Sequence, residues 1–241
     1  MPFTDSIEWH ESLPSTMQTA RDRALAGAPQ GLVITAREQT AGRGRLGRTW
    51  SSPKGGLWFS LVLRPPLPPE KLGLLGLAFG VAAADTLIQI TGLPMALKWP
   101  NDLYLSQRKL GGFLLESHLQ SDRVEFVILG LGLNVNIPAD SFPAELRPQA
   151  TSLLIETAHE YSPESLLRAI LDAAEGRYAA AIAPIVARWN ELDAARGRPL
   201  RVQYEGHGVE GTAAGLSPDG ALLVETPSGQ IALHSGEVQW L

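Results

Sequence analysis

Three arginines and three glycines occur within residues 42–48, here called the arginine–glycine loop. The glycines at 42, 44 and 47 match the spacing of a dinucleotide-binding loop, and residues 42–49 nearly match a phosphate-binding P-loop. Both motifs require a helix to begin at the last glycine, so that its N-terminus can receive the phosphate. Here the chain continues through Ser-Ser-Pro-Lys-Gly-Gly, which is typical of a turn, into an apolar strand. The segment therefore indicates an anion-binding loop of another kind.

Polar residues interrupt apolar segments at three further places, with positive charge beside glycine as their common theme. Lys98 and Asp102 flank a proline turn, Lys109 precedes Gly111 and Gly112, and Asn134 follows a glycine-rich segment. Glycine lets a ligand approach the backbone closely, so together these residues predict anion recognition. Each also has a purely structural interpretation: a solvated hairpin lysine at 109, a strand-edge lysine at 98, an Asx turn at 102 and a turn cap at 134.

Strands and helices alternate around these residues. A capping-box spacing of Ser15 and Gln18, with Gly27 beyond, predicts the first helix, in which Ser15 and Thr16 could be ordinary caps. Strands at 32–36 and 57–63 are predicted to hold the arginine–glycine loop. The other predicted elements are an apolar helix at 70–90, three strand segments between 95 and 136, and helices near 163–183 and 184–195. The polar turns between the strands favour a partly antiparallel sheet.

The pattern changes after Gly197, where short apolar runs alternate with glycine-containing turns up to the C-terminus. Such spacing predicts a small all-β barrel. Residues 199–241 contain one arginine and five carboxylates, which disfavours nucleic-acid binding by this part alone. We therefore expect an α+β fold: a mixed-sheet domain over residues 1–196, followed by a small SH3-like β-barrel over residues 197–241.

Composition narrows the function classes. A net charge of −5 disfavours general binding to nucleic acid or to an anionic membrane. The absence of cysteine excludes disulfides, thiolate metal sites and cysteine nucleophiles, and it suits a reducing cytoplasm. The N-terminus lacks a signal-peptide pattern. The longest apolar run, residues 72–84, is shorter than the about 20 residues that span a bilayer, so a buried core helix is predicted there.

Several sequence motifs follow one another in a specific order. They are PST at the first helix, EQTAGRGRLGRTWSSPKGGLWFSLVLRP, LKWPNDLYL, RKLGGFLLE, GLGLNVN, ATSL and a terminal GEVQWL. Each motif alone is modestly specific, but their order is highly specific and extends over nearly the whole chain. In these motifs the sequence resembles the biotin–protein ligases, also called biotin–[acetyl-CoA carboxylase] ligases.

The resemblance implies an ATP-dependent, Mg²⁺-assisted ligase. Biotin and ATP would form biotinyl-5′-AMP and pyrophosphate, and the biotinyl group would pass to one lysine of a biotin carboxyl carrier protein. The first step brings a carboxylate against a triphosphate, and two like charges 4 Å apart repel by about 4 kcal/mol at an effective dielectric near 20. Cations such as Arg43, Arg45, Lys98 and Lys109 suit this chemistry, since they can offset that repulsion.

Individual roles also follow from the resemblance. It implies three catalytic residues: Lys109 between the biotin carboxylate and the α-phosphate, Arg45 in the closing loop, and Asp102 as a base or Mg²⁺ ligand. Ser15, Thr16 and Gln39 would bond the ureido ring, while Trp50, which could equally be a packing residue, would cover the adenine. The implied binding set is Ser15, Thr16, Gln39, Gly42, Arg43, Arg45, Trp50, Lys98, Lys109, Gly112 and Asn134.

One residue departs from the family pattern. Met17 stands where the first-helix motif usually has asparagine, and a thioether cannot replace the hydrogen bonds of an amide. The departure concerns the ring contacts and leaves the phosphate chemistry unchanged. Because the motifs start near the first residue, we expect the monofunctional type, without an N-terminal DNA-binding domain. Family members often dimerise through the sheet, so a homodimer is a further expectation.

Two other functions fit parts of the sequence. A lipoate ligase or octanoyltransferase of the same fold also couples a short carboxylic acid to a carrier lysine, but the arginine–glycine loop and the β-rich tail favour biotin. A nucleotide-binding regulator or RNA-binding module could hold phosphates without chemistry, although the acidic tail argues against it.

Overall fold

A computed structural model describes residues 2–178, 182–204 and 206–241. Seven strands form one sheet in the order β1-β2-β3-β7-β6-β5-β4. They are β1 (Ile7–Leu13), β2 (Val33–Gln39), β3 (Leu57–Leu63), β4 (Ala96–Lys98), β5 (Asp102–Leu105), β6 (Arg108–Gln120) and β7 (Arg123–Leu133). Strands β1 and β2 run parallel, whereas the other five neighbouring pairs are antiparallel. The predicted mixed sheet is therefore confirmed.

The sequence patterns do not predict strand β1. Its seven residues contain three exposed side chains and no fully buried one, and Trp9 within it is 47% exposed. It lies at the edge of the sheet and pairs through its backbone with β2. Since backbone pairing rather than a buried face holds this strand, its side chains carry little of the periodicity that reveals a strand.

The described residues form five α-helices, of which all but the third pack against the main sheet. They are α1 (Thr16–Leu25), α2 (Leu72–Thr91), α3 (Leu153–Thr157), α4 (Pro163–Tyr178) and α5 (Ile182–Leu192). Ser15 caps α1 by accepting the N–H of Gln18 at 3.5 Å, but the Gln18 side chain bonds Asp22, so half of the predicted capping box forms. Of the helix predicted at 163–183, residues 179–181 lie outside the described residues, and α5 begins two residues earlier than predicted.

Helix α2 is the centre of the hydrophobic core. It packs on the sheet beside α4 and α5, and a Cβ at Gly80 would lie 2.7 Å from the Phe113 ring. The segment Pro69–Thr91 is long and apolar enough to cross a membrane, but 72% of its most apolar 18-residue stretch is buried inside the protein. The predicted buried core helix is thus confirmed, because the neighbouring helices and the sheet already cover its apolar surface.

Five C-terminal strands form a second, antiparallel sheet in the order β11-β10-β9-β8-β12. They are β8 (Pro199–Tyr204), β9 (His207–Leu216), β10 (Leu222–Thr226), β11 (Gly229–Leu233) and β12 (Glu237–Trp240). This is the predicted small β domain of SH3-like type. Within the described residues its edge strands β11 and β12 do not pair, so the sheet stays open rather than closing into the expected barrel. Trp99 Nε1 donates to Gly220 O at 3.2 Å and joins the two sheets.

Arg64 ties the C-terminal end of α1 to the sheet. Its guanidinium donates to the carbonyls of Ala24, Ala28 and Glu125 at 2.9–3.2 Å. A hydrogen bond to a charged group contributes about 1.5–3 kcal/mol. A cation near a helix C-terminus also interacts favourably with the helix dipole. We expect Arg64→Ala to lower the free energy of unfolding by about 2–3 kcal/mol in urea denaturation. Arg37→Ala is the control, because the Arg37 side chain is 70% exposed. Equal urea midpoints for Arg64→Ala and the wild type would contradict the prediction.

Candidate active site

A cavity of about 510 Å³ opens where the arginine–glycine loop, the strand ends of the main sheet and strand β12 meet. Every predicted site residue except Gly42 lines it, including Ser15, Thr16, Gln39, Arg43, Arg45, Trp50, Lys98, Asp102, Lys109, Gly112 and Asn134. Gly42 lies at the base of the loop instead, where its carbonyl accepts the Trp50 N–H at 2.9 Å. A Cβ at Gly42 would lie 2.5 Å from Trp50 O, so this position needs glycine for the loop to close on itself.

One end of the cavity carries a network of neutral polar groups. The backbone N–H of Thr16 donates to Gln39 Oε1 at 2.8 Å, and the Thr16 hydroxyl lies 3.1 Å from the same oxygen and 2.9 Å from Ser60 Oγ. Gln39 Nε2 donates to Ser52 Oγ at 2.8 Å, which orients the amide. Ser15 Oγ is used at the helix cap. Donors and acceptors held in this way suit a neutral, hydrogen-bonding ligand rather than an ion.

Charged groups meet in another part of the cavity. Lys109 Nζ lies 2.6 Å from Asp102 Oδ1 and 5.3 Å from the centre of the Trp50 ring. Gly112 is the β6 partner of Asp102, and a Cβ there would lie 3.3 Å from the same carboxylate oxygen. The small residue leaves room for the ion pair. Lys109 is therefore a cavity residue rather than a hairpin lysine in solvent.

Lys98 lies among aromatic rings and is 9% exposed. Its Nζ is 4.5 Å from the ring centre of Trp240 and 5.7 Å from that of Tyr104. Burial lowers the pKa of Lys98, and the charge of Asp102 opposes this shift. Burial, helped by Asp102, raises the pKa of Tyr104 to about 12, so its phenol stays protonated at neutral pH. The cavity thus holds a second cation that the C-terminal sheet helps to position.

The arginine–glycine loop lies against the C-terminal sheet. Arg45 Nη1 donates to Gly236 O at 3.2 Å, and Arg48 Nη2 lies 2.6 and 2.7 Å from the two carboxylate oxygens of Glu237. Burial lowers the pKa of the Arg45 guanidinium. Leu46, at the loop tip, adopts a positive φ of 57° and is 74% exposed. The loop therefore forms one wall of the cavity and shows its apolar tip to solvent.

Trp50 and Asn134 also have structural contacts. The Trp50 ring lies against Gly132, where a Cβ would be 2.6 Å from Nε1, and this nitrogen has no hydrogen-bond partner among the described residues. Asn134 is 4% exposed, and its Nδ2 donates to Thr151 O at 2.9 Å. Both residues line the cavity and also hold its wall, so each has a structural role, while its binding role stays a prediction.

Known proteins share this arrangement of domains. The profile described as "Biotin/lipoate A/B protein ligase family" matches residues 9–134, and "Biotin protein ligase C terminal domain" matches residues 197–240. The chain is 35% identical to the Bifunctional ligase/repressor BirA of Bacillus subtilis over 96% of this chain and 73% of that protein. The chain belongs to the biotin protein ligases.

Two further relatives support the assignment. The Biotin–[acetyl-CoA-carboxylase] ligase of Paracoccus denitrificans is 35% identical, with 85% of this chain and 88% of that protein covered. The solved biotin protein ligase from Aquifex aeolicus in complex with biotin and ATP has 29% identity and a TM-score of 0.85, with 98% of each chain covered. The predicted family and fold class are confirmed, and the lipoate ligase alternative is not favoured.

Several cavity residues of this ligase were not predicted. They include Asn101, Tyr104, Arg48, Gln149, Glu237 and Trp240. Asn101 and Tyr104 lie in the motif LKWPNDLYL and Glu237 and Trp240 in GEVQWL, so the motifs contain a signal for them. No local pattern indicates that the last strand of the chain reaches the cavity, because that placement depends on how the two sheets pack.

Met17, the departure from the family pattern, packs into the cavity floor of this biotin protein ligase. It is 7% exposed and joins the apolar cluster of α1 with Ala20 and Ile34. Its Sδ approaches Gly130 so closely that a Cβ there would be 2.5 Å away. The thioether is therefore accommodated by a glycine in β7 and contributes apolar contact where an amide would contribute hydrogen bonds.

Proposed function

We propose that this ligase activates biotin with ATP and transfers it to one lysine of a carboxylase carrier protein. In the first step a biotin carboxylate oxygen bonds to the α-phosphorus, while the bond to the β-phosphate oxygen breaks and pyrophosphate leaves. In the second step the carrier amine bonds to the biotinyl carbonyl carbon, AMP leaves and the nitrogen loses a proton. The observation that carries the proposal is one cavity that combines a neutral polar network with a cluster of cations.

The cations suit the charge that the first step brings together. Lys98 and Lys109 project from neighbouring parts of the main sheet, and Arg43 and Arg45 come from the arginine–glycine loop. We propose that Lys109 lies between the biotin carboxylate and the α-phosphate, and that the loop arginines cover the adenylate. Preorganised cations in a partly buried site stabilise developing charge without reorganising during the reaction. Closure of the loop also keeps water from the reactive anhydride.

The neutral network suits the ureido ring of biotin. That ring presents two N–H donors and a carbonyl acceptor, and the Thr16–Gln39 network presents hydroxyl and amide partners. The dithiolane ring of lipoate offers neither N–H donors nor a carbonyl, so it would forgo these hydrogen bonds, which contribute about 0.5–1.5 kcal/mol each. Discrimination between these two acids therefore follows from the inner end of the cavity.

Asp102 fits a role at the phosphate end. Within the described residues, no group of three or more His, Cys, Asp or Glu side chains is arranged to hold a metal ion. Mg²⁺ in nucleotide enzymes is usually held by one or two carboxylates together with phosphate oxygens, so Asp102 suffices as a protein ligand. When bound there, Mg²⁺ would neutralise phosphate charge. The carboxylate is also placed to orient an incoming ammonium and to accept its proton.

The partner and the division of the chain are part of the proposal. Relatives named as biotin–[acetyl-CoA-carboxylase] ligases point to a biotin carboxyl carrier protein as the acceptor. We assign biotin and ATP binding to residues 1–196, with residues 197–241 completing the cavity wall. The cysteine-free chain and the burial of α2 support a cytoplasmic location. Dimerisation through the sheet stays a prediction, which sedimentation velocity would test.

The activity is tested by incubating the protein with ATP, Mg²⁺ and either biotin or lipoate while pyrophosphate release is followed. Biotin should support release and lipoate should not. A lipoate ligase would show the reverse preference, and a nucleotide-binding module without chemistry would release none. Addition of a biotin carboxyl carrier domain should then yield a carrier that streptavidin detects.

We expect no sequence-specific DNA binding by these 241 residues. Their net charge is −5, and such chains lack the electrostatic attraction that dominates DNA affinity. The Bacillus relative is named a ligase and repressor, so the question has a direct counterpart in the family. A mobility-shift assay at moderate salt, with and without biotin and ATP, measures this. A saturable shift that depends on DNA sequence would refute the expectation.

A further inference from the structure

The arginine–glycine loop and strand β12 are joined by an ion pair in which one arginine nitrogen contacts both oxygens of a carboxylate. Arg48 Nη2 lies 2.6 Å from Glu237 Oε1 and 2.7 Å from Oε2, although the two residues are 189 positions apart in the chain. Next to this pair, Arg45 Nη1 donates to Gly236 O at 3.2 Å and lies 3.4 Å from Asn101 Oδ1. Two consecutive residues at the start of β12, Gly236 and Glu237, therefore accept hydrogen bonds from two arginines of the loop.

The acceptor side of this contact is held in place by the second sheet. Glu237 is the first residue of β12 and pairs with Gln203 of β8. Gly236 has a φ of 145°, and a Cβ there would lie 2.6 Å from Val202 Cγ1, so the backbone is confined at this point. The donor side is a glycine-rich segment with an exposed tip. The contact therefore joins a segment whose glycines permit several backbone conformations to a residue that strand pairing holds in place.

We infer that Glu237 is a positioning residue that fastens the arginine–glycine loop closed, so that the C-terminal sheet sets how long biotinyl-AMP is retained. This inference rests on the proposed function, because only an enzyme with a reactive intermediate needs to retain it. Glu237 acts through Arg48 and leaves the Lys109–Asp102 pair untouched. Its loss should therefore alter retention of the intermediate more than its formation.

The size of the effect follows from exposure. The Arg48 side chain is 65% exposed and that of Glu237 is 27% exposed. Partly exposed ion pairs change an equilibrium by about twofold to fivefold. We therefore expect Glu237→Gln to release biotinyl-AMP about twofold to fivefold faster than the wild type, with a nearly unchanged rate of adenylate formation.

Release is measured by forming labelled biotinyl-AMP on the protein, removing free ligand by rapid gel filtration and following loss of label. Arg48→Gln should release biotinyl-AMP as fast as Glu237→Gln does. The double variant Arg48→Glu/Glu237→Arg, which exchanges the two charges, should restore slow release. Glu210→Gln is the matched control, because Glu210 pairs with Arg201 in the same sheet away from the cavity. Wild-type release rates in both single variants would overturn the inference.

A second readout needs no ligand. Trypsin cleaves after arginine, and the loop contains Arg43, Arg45 and Arg48, so fastening the loop should protect it from limited trypsinolysis. Glu237→Gln should accelerate cleavage in the loop, whereas Glu210→Gln should not. Equal rates of loop cleavage in Glu237→Gln and the wild type would show that Glu237 does not fasten the loop, even if the protein forms adenylate. If the wild type forms no adenylate, the proposed function fails, and the cleavage assay still decides whether the loop is fastened.

Discussion

Lys109→Ala is expected to lower biotin-dependent exchange between ATP and pyrophosphate by about 10²–10³-fold, the usual effect of removing one preorganised charge-stabilising group. Forming the anhydride concentrates negative charge between the carboxylate and the α-phosphate. Lys109 is a cavity cation held by Asp102 at 2.6 Å, in a wall that Gly112 keeps open. Its removal takes away a positioned charge and leaves the carboxylate of Asp102 unpaired, so the first step should suffer most.

The same variant should lose less activity in the second step. Transfer of labelled biotin from synthetic biotinyl-AMP to a carrier domain measures that step alone. Lys54→Ala is the control, since Lys54 is an exposed lysine in the turn after the arginine–glycine loop. Lys109→Arg keeps the charge but changes its shape, and we expect partial activity from it. Equal losses of exchange and transfer in Lys109→Ala would contradict the assignment of Lys109 to the first step.

Asp102→Asn is expected to lower transfer from biotinyl-AMP to the carrier lysine by about 10²-fold or more, the lower end of the range for general acid–base groups. The attacking lysine arrives as an ammonium with an unperturbed pKa of about 10.4, so it must lose a proton before it can react. Asp102 and Glu237 are the carboxylates of the cavity wall, and Glu237 is engaged by Arg48. Asparagine keeps the shape of the side chain and removes the base.

The control for this variant is Asp140→Asn, at an exposed aspartate outside the cavity. Because Asp102 and Lys109 are in direct contact, the double variant should lose less than the product of the two single losses. A variant Asp102→Asn that lost only pyrophosphate exchange, with full transfer, would instead place Asp102 at the Mg²⁺ ion alone. Varying the Mg²⁺ concentration in the exchange assay separates these outcomes. If Asp102 binds Mg²⁺, its loss should raise the Mg²⁺ concentration that half-maximal exchange requires.

The sequence alone was sufficient for the family, the α+β class and several of the polar and charged residues of the cavity wall. The residues concerned lie in contiguous motifs, such as the arginine–glycine loop between β2 and β3 and the proline turn between β4 and β5. A motif of this kind is encoded by neighbouring residues, whose turn chemistry and apolar periodicity are local properties. Eleven predicted residues therefore line one cavity, while Gly42 lies at the base of the loop, where loop closure requires a glycine.

Other features were decided by the tertiary structure. Strand β1 has no buried face, so only its pairing with β2 reveals it, and the openness of the C-terminal sheet depends on edges that no local pattern encodes. The contact between Lys109 and Asp102 requires the register of β5 on β6. The fastening of Arg48 to Glu237 and the ring of Trp240 over Lys98 require two sheets to pack together. Such contacts join residues far apart in the chain, and packing of the whole core, rather than local preference, sets their distances.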